Sequence, residues 1–530
     1  MRRTGTIGRF LSALPLCAGL VAAGQGTQEP AKGPTMIAKK APFRILWSND
    51  TTHILSCYTP YRRDRSTFTA DKMRASIDEV TGIGVDVQML QPGFGWIPWY
   101  ESTFYTRADH ARWFEQRFPG KDPDPFTKYW LEGGDIVGDF VARCKEREQA
   151  CFVSMRMNHS PFPGREEATS SRFYDEHPDY RTGPAPKWVC SPNWAIPEVR
   201  EHRFTQIREM CERYDLDGFE LDFMRYPLYF DPKATNPMQR RAIMTQFVAR
   251  VRRLLDRTAK PGRRRWLCVR VPSELEPHGA LGIDLRAMVD AGVDMVNLSC
   301  YYFTQQQSDL ARICAMLPGV PVYLEVTYCS SRNTTEGQRS GVRRLSTDHQ
   351  LYTAAHLAHQ RGAQGMSLFN FVYYRHYRHE PPLAVIERMR DPKWLAEQPQ
   401  WYFLDAHGFK YWQSDYRGPL PQEFAPAQTH AFSLDMAPTA RAKQGLLRLM
   451  ATEDMAAHDW SAKMNDTPLA ATESVPAPLA HPYTSAIGTP SQYACFVCPP
   501  ACIKNGTNRM EITLRGGKAM TLRYLDLMLW

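Results

Sequence analysis

Asp217-Gly218-Phe219-Glu220-Leu221-Asp222-Phe223-Met224-Arg225-Tyr226-Pro227 reads as a buried strand with two carboxylates on one side. Side chains alternate across a strand, so Phe219, Leu221 and Phe223 share one face while Glu220 and Asp222 share the other. An apolar face for helices and an acidic face opposite it is the pattern of a barrel strand whose acids point inward. Burying two acids is costly unless they are paired or functional.

Outward from this stretch the same unit recurs between residues 43 and about 392: an apolar run, a polar loop, an amphipathic helix, a glycine and the next run. The runs are Phe43 to Trp47, Val85 to Leu90, Cys151 to Met157, Gly218 to Met224, Trp266 to Val271, Met295 to Cys300, Val322 to Thr327 and Met366 to Val372. Eight such runs close a parallel barrel. Between them, Met73, Ile77 and Val80 share a helix face after a Thr69 cap, and Ile243, Phe247, Val251, Leu254 and Leu255 share another. Glycines at 82, 84, 218, 292 and 362 stand where helices end and strands begin. The alternative, a doubly wound open sheet, lacks the glycine-rich dinucleotide turn. The fold expected is therefore α/β, a (β/α)8 TIM barrel over 40–395, followed by a β-sandwich over 400–530. The sandwich is read from the Asn505-Gly506 turn, the alternation through Met510 to Leu514 and the run Leu522 to Leu529, with Leu469 to Pro482 as a loop.

The chain has 530 residues, is 43% hydrophobic and has a net charge of only +9, which excludes a disordered or fibrous protein and gives no support to a nucleic-acid partner. Its densest basic run, Arg250 to Arg265, is expected to be a solvated helix end. Residues 1–24 read as a secretory signal peptide: Arg2, Arg3 and Arg9, an apolar run broken by Pro15, then Ala22-Ala23-Gly24. The expected location is periplasmic or extracellular in a bacterium, with no membrane span. Removing the leader takes Cys17 and leaves twelve of thirteen cysteines, compatible with some disulfides, although Cys268 and Cys300 lie in strand-like runs that suit buried thiols. Cys495, Cys498 and Cys502 lack a second pair for zinc, and no metal or cofactor is expected.

A barrel of this kind works at the carboxyl ends of its strands. The candidate acids there are Asp222, Glu274 just past the fifth run, and Glu325 within the seventh. Glu220 is the competing structural acid, expected in an ion-pair layer with Arg156 and Arg270. Asn158, His159, Glu220, Arg225, Asn297, Tyr301 and Asn370 are candidate hydrogen-bonding partners for a hydroxylated ligand. Trp96 and Trp99 in the loop after the second run, with Tyr301-Tyr302 and Tyr373-Tyr374, offer the flat faces on which sugar rings stack. The pair His356 and His359 is expected on an outer helix surface.

Phe173 to Tyr180, Ile196 to Arg200 and above all Tyr214 to Pro227 resemble glycosyl-hydrolase-like family ten of secreted bacterial TIM-barrel proteins, over roughly residues 40 to 390. More distantly, Asn158-His159, Gly218-Phe219-x-Leu221-Asp222 and Glu274 are similar to the α-amylase superfamily. That resemblance implies a substrate-contacting His159, a nucleophilic Asp222 and an acid/base Glu274. It departs at Ser154, at Glu220 and in the absence of a His-Asp pair ending the seventh run. Asn505 to Ile512 resembles appended carbohydrate-binding sandwiches. The function implied is an exported glycoside hydrolase acting on a poly- or oligosaccharide; the alternatives are a carbohydrate-binding barrel without catalysis and a metal-dependent hydrolase. Neighbouring strands lie ~4.8 Å apart, which lets Asp222 and Glu274 reach the ~5–5.5 Å of a retaining pair, with Glu325 farther off in a third role.

Overall fold

The structure is a computed structural model, and it describes residues 41–530 apart from 58–63, 183–189, 334–341, 406–417, 439–440, 452, 476 and 484–489. The leader expected at 1–24 lies outside the described residues. Eight parallel strands close into a barrel: β1 (Ile45–Asn49), β2 (Val87–Leu90), β3 (Ala150–Arg156), β4 (Gly218–Asp222), β5 (Trp266–Pro272), β6 (Met295–Ser299), β7 (Val322–Thr327) and β8 (Gly365–Phe369). All eight expected runs are barrel strands. The first begins two residues later than expected, which carries its carboxyl end to Asp50. The eighth stops at Phe369 because Asn370 turns into the left-handed region, at φ 51°, and a 3-10 helix follows.

Helices form where caps and apolar spacing agree. The Thr69 side chain accepts from the Lys72 amide at the start of Ala70–Asp78, which buries Met73 and Ile77 against the barrel. Pro237–Thr258 starts on an Asn236 capping box and buries Phe247, Val251, Leu254 and Leu255. Alternation along every strand sends Ile45, Trp47, Val153, Phe219, Leu221, Val269, Val296, Leu298, Leu324, Val326 and Leu368 outward into the layer between barrel and helices.

The interior is stratified. At the amino-terminal end Leu46, Val87, Met89, Phe152, Cys268, Met295 and Tyr323 form an apolar plug. Gly218 belongs to this layer, and a Cβ there would come within 2.4 Å of the Phe152 ring, so the glycine makes room for the plug. Above it sit Ser154, Glu220, Asn297 and Ser367, and above these the charged groups of the mouth.

The Arg250 to Arg265 run is solvated only in part: Arg253, Arg257, Lys260 and Arg263 are exposed, while Arg252 and Arg265 are buried. Arg252 and Arg264 pair with Asp294, Arg263 with Asp217, and Lys260 with Asp215, while Arg265 donates to the carbonyls of Cys211 and Tyr214. These acids stand at or near the strand entries, so the run belts the closed end of the barrel.

After the short helix Pro392–Leu395 the chain builds two antiparallel sheets. One runs in the order Gln400–Asp405, Met520–Leu529, Gly445–Ala451, Tyr493–Val497, Ala470–Thr472; the other runs Gln428–Met436, Gly506–Gly516, Asp459–Met464, Thr467–Pro468. Their facing sides bury Leu447, Leu449, Leu525 and Leu527 against Phe432, Leu434, Met510 and Ile512. The stretch read as a loop from Leu469 contains the edge strand Ala470–Thr472, paired with Val497 to Cys495. Strand Gln400–Asp405 packs on helix Asp348–Gln360, with the Trp401 amide donating to Thr353 Oγ1 at 2.7 Å. That packing corrects the expected surface position of His356, which is 1% exposed. Among the described residues no cysteine is joined in a disulfide, and Cys268 and Cys300 are buried. Among the described residues no helix is long and apolar enough to cross a membrane.

Candidate active site at the carboxyl ends of the strands

β4 and β5 pair with Asp222 opposite Arg270. The Arg270 guanidinium is 1% exposed and serves two acids at once. Its Nη1 donates to Asp222 Oδ1 and Oδ2 at 3.1 and 3.0 Å, while Nε and Nη2 donate to Glu325 Oε2 and Oε1, both at 2.7 Å. Ser299 Oγ donates to Glu325 Oε1 at 2.6 Å, and the Met224 amide donates to Asp222 Oδ1 at 2.9 Å. Asp222 and Glu325 therefore meet on one cation although two strands, β5 and β6, lie between theirs, closer together than their strand order suggested.

Glu220 does not join the ion-pair layer expected of it. It lies one step deeper, where Ser154 Oγ donates to Oε1 at 2.6 Å and Asn297 Nδ2 to Oε2 at 3.0 Å. Burial raises its pKa above the ordinary range, against the pull of Arg270. Burial likewise pushes Glu325 up to about 7 despite its two-point contact with Arg270. For both glutamates burial outweighs the nearby guanidinium.

A second ion pair sits beside the first. Asp50, at the end of β1, takes a bond from Arg156 Nη2, and its Oδ2 accepts from Tyr302 and Tyr373 hydroxyls at 3.4 and 3.3 Å. Its amide donates to Asn370 Oδ1 at 2.7 Å. Burial would raise the Asp50 pKa, but the charges of Arg156 and Arg225 outweigh it and hold the group below its usual range. Sequence reasoning passed over Asp50. The two-residue alternation applied to β4 would have found it, since Leu46, Ser48 and Asp50 share one face.

Asn370 thus positions Asp50 from its strained backbone. Tyr301, at φ 61°, accepts from Arg225 Nη1 at 2.6 Å, and Tyr302 accepts from the same nitrogen. Glu274 is buried past the end of β5, where Gln305 Nε2 donates to its Oε1. Asn158 and His159 turn to the backbone: Asn158 Nδ2 donates to the Leu228 carbonyl at 2.8 Å and His159 Nε2 to the Thr169 carbonyl at 2.7 Å. The expected sugar platforms Trp96 and Trp99 are 5% and 1% exposed. Trp96 stacks on His202, and Trp99 stacks on Phe126 with centroids 5.0 Å apart. Half-buried Tyr226, Tyr301, Tyr302 and Tyr373 are the rings at the mouth instead.

Four non-glycine residues in the left-handed region follow the four even strands: Trp96 after β2, Tyr226 after β4, Tyr301 after β6 and Asn370 after β8. Such backbone is costly, by about 1–3 kcal/mol a residue, and concentrates where ligands are gripped. The sandwich differs. Its outer sheet face presents Thr429, Ser433, Lys463, Arg509, Glu511 and Thr513, with no tryptophan, tyrosine or phenylalanine among the described outward residues.

The architecture is that of a (β/α)8 barrel with a charged mouth and an appended β-sandwich. No family model matches the sequence, and no curated protein matches it. Among solved structures the chain is similar to α-L-fucosidase isoenzyme 2 from Paenibacillus thiaminolyticus, at 12% identity and a TM-score of 0.40, over 66% of this chain and 48% of that one. It is similar to a maltogenic α-amylase from Thermotoga neapolitana, at 11% identity and 0.37, over 91% and 98% of the two chains. It is also similar to an α-L-fucosidase from Bacteroides thetaiotaomicron, at 11% identity and 0.37, over 89% and 94%.

Proposed function

We propose that this chain is an exported glycoside hydrolase that cleaves a poly- or oligosaccharide with retention at the anomeric carbon. The observation that carries the reading is Asp222: an inward carboxylate at the end of β4, held by Arg270 and the Met224 amide, within a mouth rimmed by four tyrosines. Those bonds fix its orientation, which a nucleophile that must meet an anomeric carbon in line requires. The resemblance of Tyr214 to Pro227 to secreted glycosyl-hydrolase-like barrels supports the same role.

Glu325 is the less suitable partner. The Arg270 guanidinium fills the space between it and Asp222, leaving no place there for a sugar ring, so Glu325 acts by holding Arg270 and through it Asp222. Asp50 is held ionised and cannot donate a proton. Glu274, beside the neutral amide of Gln305, is the acid/base, and Asp222 the nucleophile that forms the glycosyl-enzyme. Tyr301 and Arg225 bind substrate, with Asn370 fixing Asp50. A carbohydrate-binding barrel without turnover is the second reading, favoured by the complete burial of Asp222 and Glu325.

A panel of polysaccharides and aryl glycosides tests both. Hydrolysis with a retained first-formed anomer by proton NMR is expected, and Asp222→Asn should fold yet lose several powers of ten in turnover. Binding without turnover in the parent would establish the second reading. An inverted anomer would dismiss the Asp222 and Glu274 pairing.

A further inference from the structure

Two arginines of the mouth are in direct ion pairs. Arg156 has Asp50, and Arg270 has Asp222 and Glu325. Arg225, on the loop leaving β4, has no carboxylate within 4.0 Å among the described residues. It is half-buried, and its Nη1 donates to two phenol oxygens, those of Tyr301 and Tyr302. Its guanidinium carbon lies 5.1, 5.5 and 5.3 Å from the ring centroids of Tyr226, Tyr301 and Tyr302. Nε is buried and finds no acceptor. Two of the rings around it, Tyr226 and Tyr301, are held in the left-handed region, backbone that concentrates where ligands are gripped.

The three rings flank the guanidinium and the two hydroxyls hold Nη1, so Nη2, which has no acceptor among the described residues and is not among the buried atoms, is the donor left to be met. A carboxylate is the group that matches such a donor, accepting a charge-assisted N–H bond and bringing a negative charge to the guanidinium. A neutral hydroxyl would satisfy one donor and bring no opposite charge into contact.

We infer that Arg225 is the recognition site for a carboxylate on the substrate, which makes the substrate a uronic-acid-containing saccharide. This rests on the carbohydrate reading above but not on turnover. Tyr226, Tyr301 and Tyr302 hold the guanidinium in place, and the sugar carboxylate completes the pairing that the protein leaves open.

The test is binding by calorimetry to Asp222→Asn, which keeps ligands intact. The probes are tri-galacturonate, tri-mannuronate and a hyaluronan tetrasaccharide, each against its methyl ester, which has the same skeleton and no charge. At least one acid should bind about tenfold or more tighter than its ester, a preference that shrinks with added salt. Arg225→Gln in the same background should abolish the preference. Because that change also removes ring packing, Arg225→Lys is the second variant: it retains the charge without the fork and should keep only part of the preference. Acids and esters binding alike, no acid binding at all, or a preference that survives Arg225→Gln would overturn the inference. Anion preference without hydrolysis of any aryl uronide by the parent would leave it standing and remove the hydrolase reading alone.

Discussion

Arg270 and Glu325 are joined at two points, Nε to Oε2 and Nη2 to Oε1, each 2.7 Å, across a barrel interior that excludes water from both. Arg270→Met leaves Asp222 and Glu325 facing one another without a cation. Breaking a buried pair costs about 3–5 kcal/mol, and urea denaturation should show a loss of that size. The pair also gives a pH signature. Burial raises Glu325 in the folded state to about 7, above its ordinary 4.5, so the stability it contributes is fully present below pH 4.5 and is lost as pH rises through 7. The unfolding free energy of the wild type should fall relative to that of Glu325→Gln across this window, and parallel pH dependences for the two proteins would count against it.

Buried histidines act in the opposite sense. Burial lowers His53, His110 and His278 to about 4 and His159 to about 3, from 6.5. Their contribution is present above pH 6.5 and is lost as pH falls through these values, by up to about 1.4 kcal/mol per pH unit for each. Acidification from 6.5 to 4 should lower the melting temperature steeply, and His110→Phe should flatten part of that slope.

Gly218→Ala drives a methyl group into the Phe152 ring of the barrel plug. Overpacking of this kind costs about 1–3 kcal/mol, and the double change with Phe152→Leu should recover part of it. A midpoint in urea unchanged by Gly218→Ala would show that the plug yields.

Export is tested directly. Material recovered outside the cytoplasm of an expressing bacterium should begin after about Gly24, and N-terminal sequencing that starts at Met1 would defeat the proposal.

The barrel was legible because its cues are local. Strands buried on both faces read as unbroken apolar runs, and glycines such as Gly292 and Gly362, both in the left-handed region, punctuate the helix ends. The inward aim of Asp222 followed from alternation alone. What failed depended on partners distant in the chain. Trp99 looks like a platform until Phe126 stacks on it, and His356 looks exposed until strand Gln400–Asp405 covers its helix. The arginines near residue 260 look solvated until Asp294 and Asp217 arrive beneath them. Charge pairing across a barrel is a tertiary fact, and no window of sequence contains it.

The strained residues after the even strands divide labour within the mouth. Arg156, Asp222, Arg270 and Glu325 come from β3, β4, β5 and β7, and Asp50 from just past β1, carried on backbone that the barrel's own hydrogen bonds make rigid. Trp96, Tyr226, Tyr301 and Asn370 belong to the turns between them. The pairing of Arg270 with its two acids can therefore persist while the turn after β6 is exchanged, so a lineage, or an engineer, can retarget this barrel to another ligand there without rebuilding that trio.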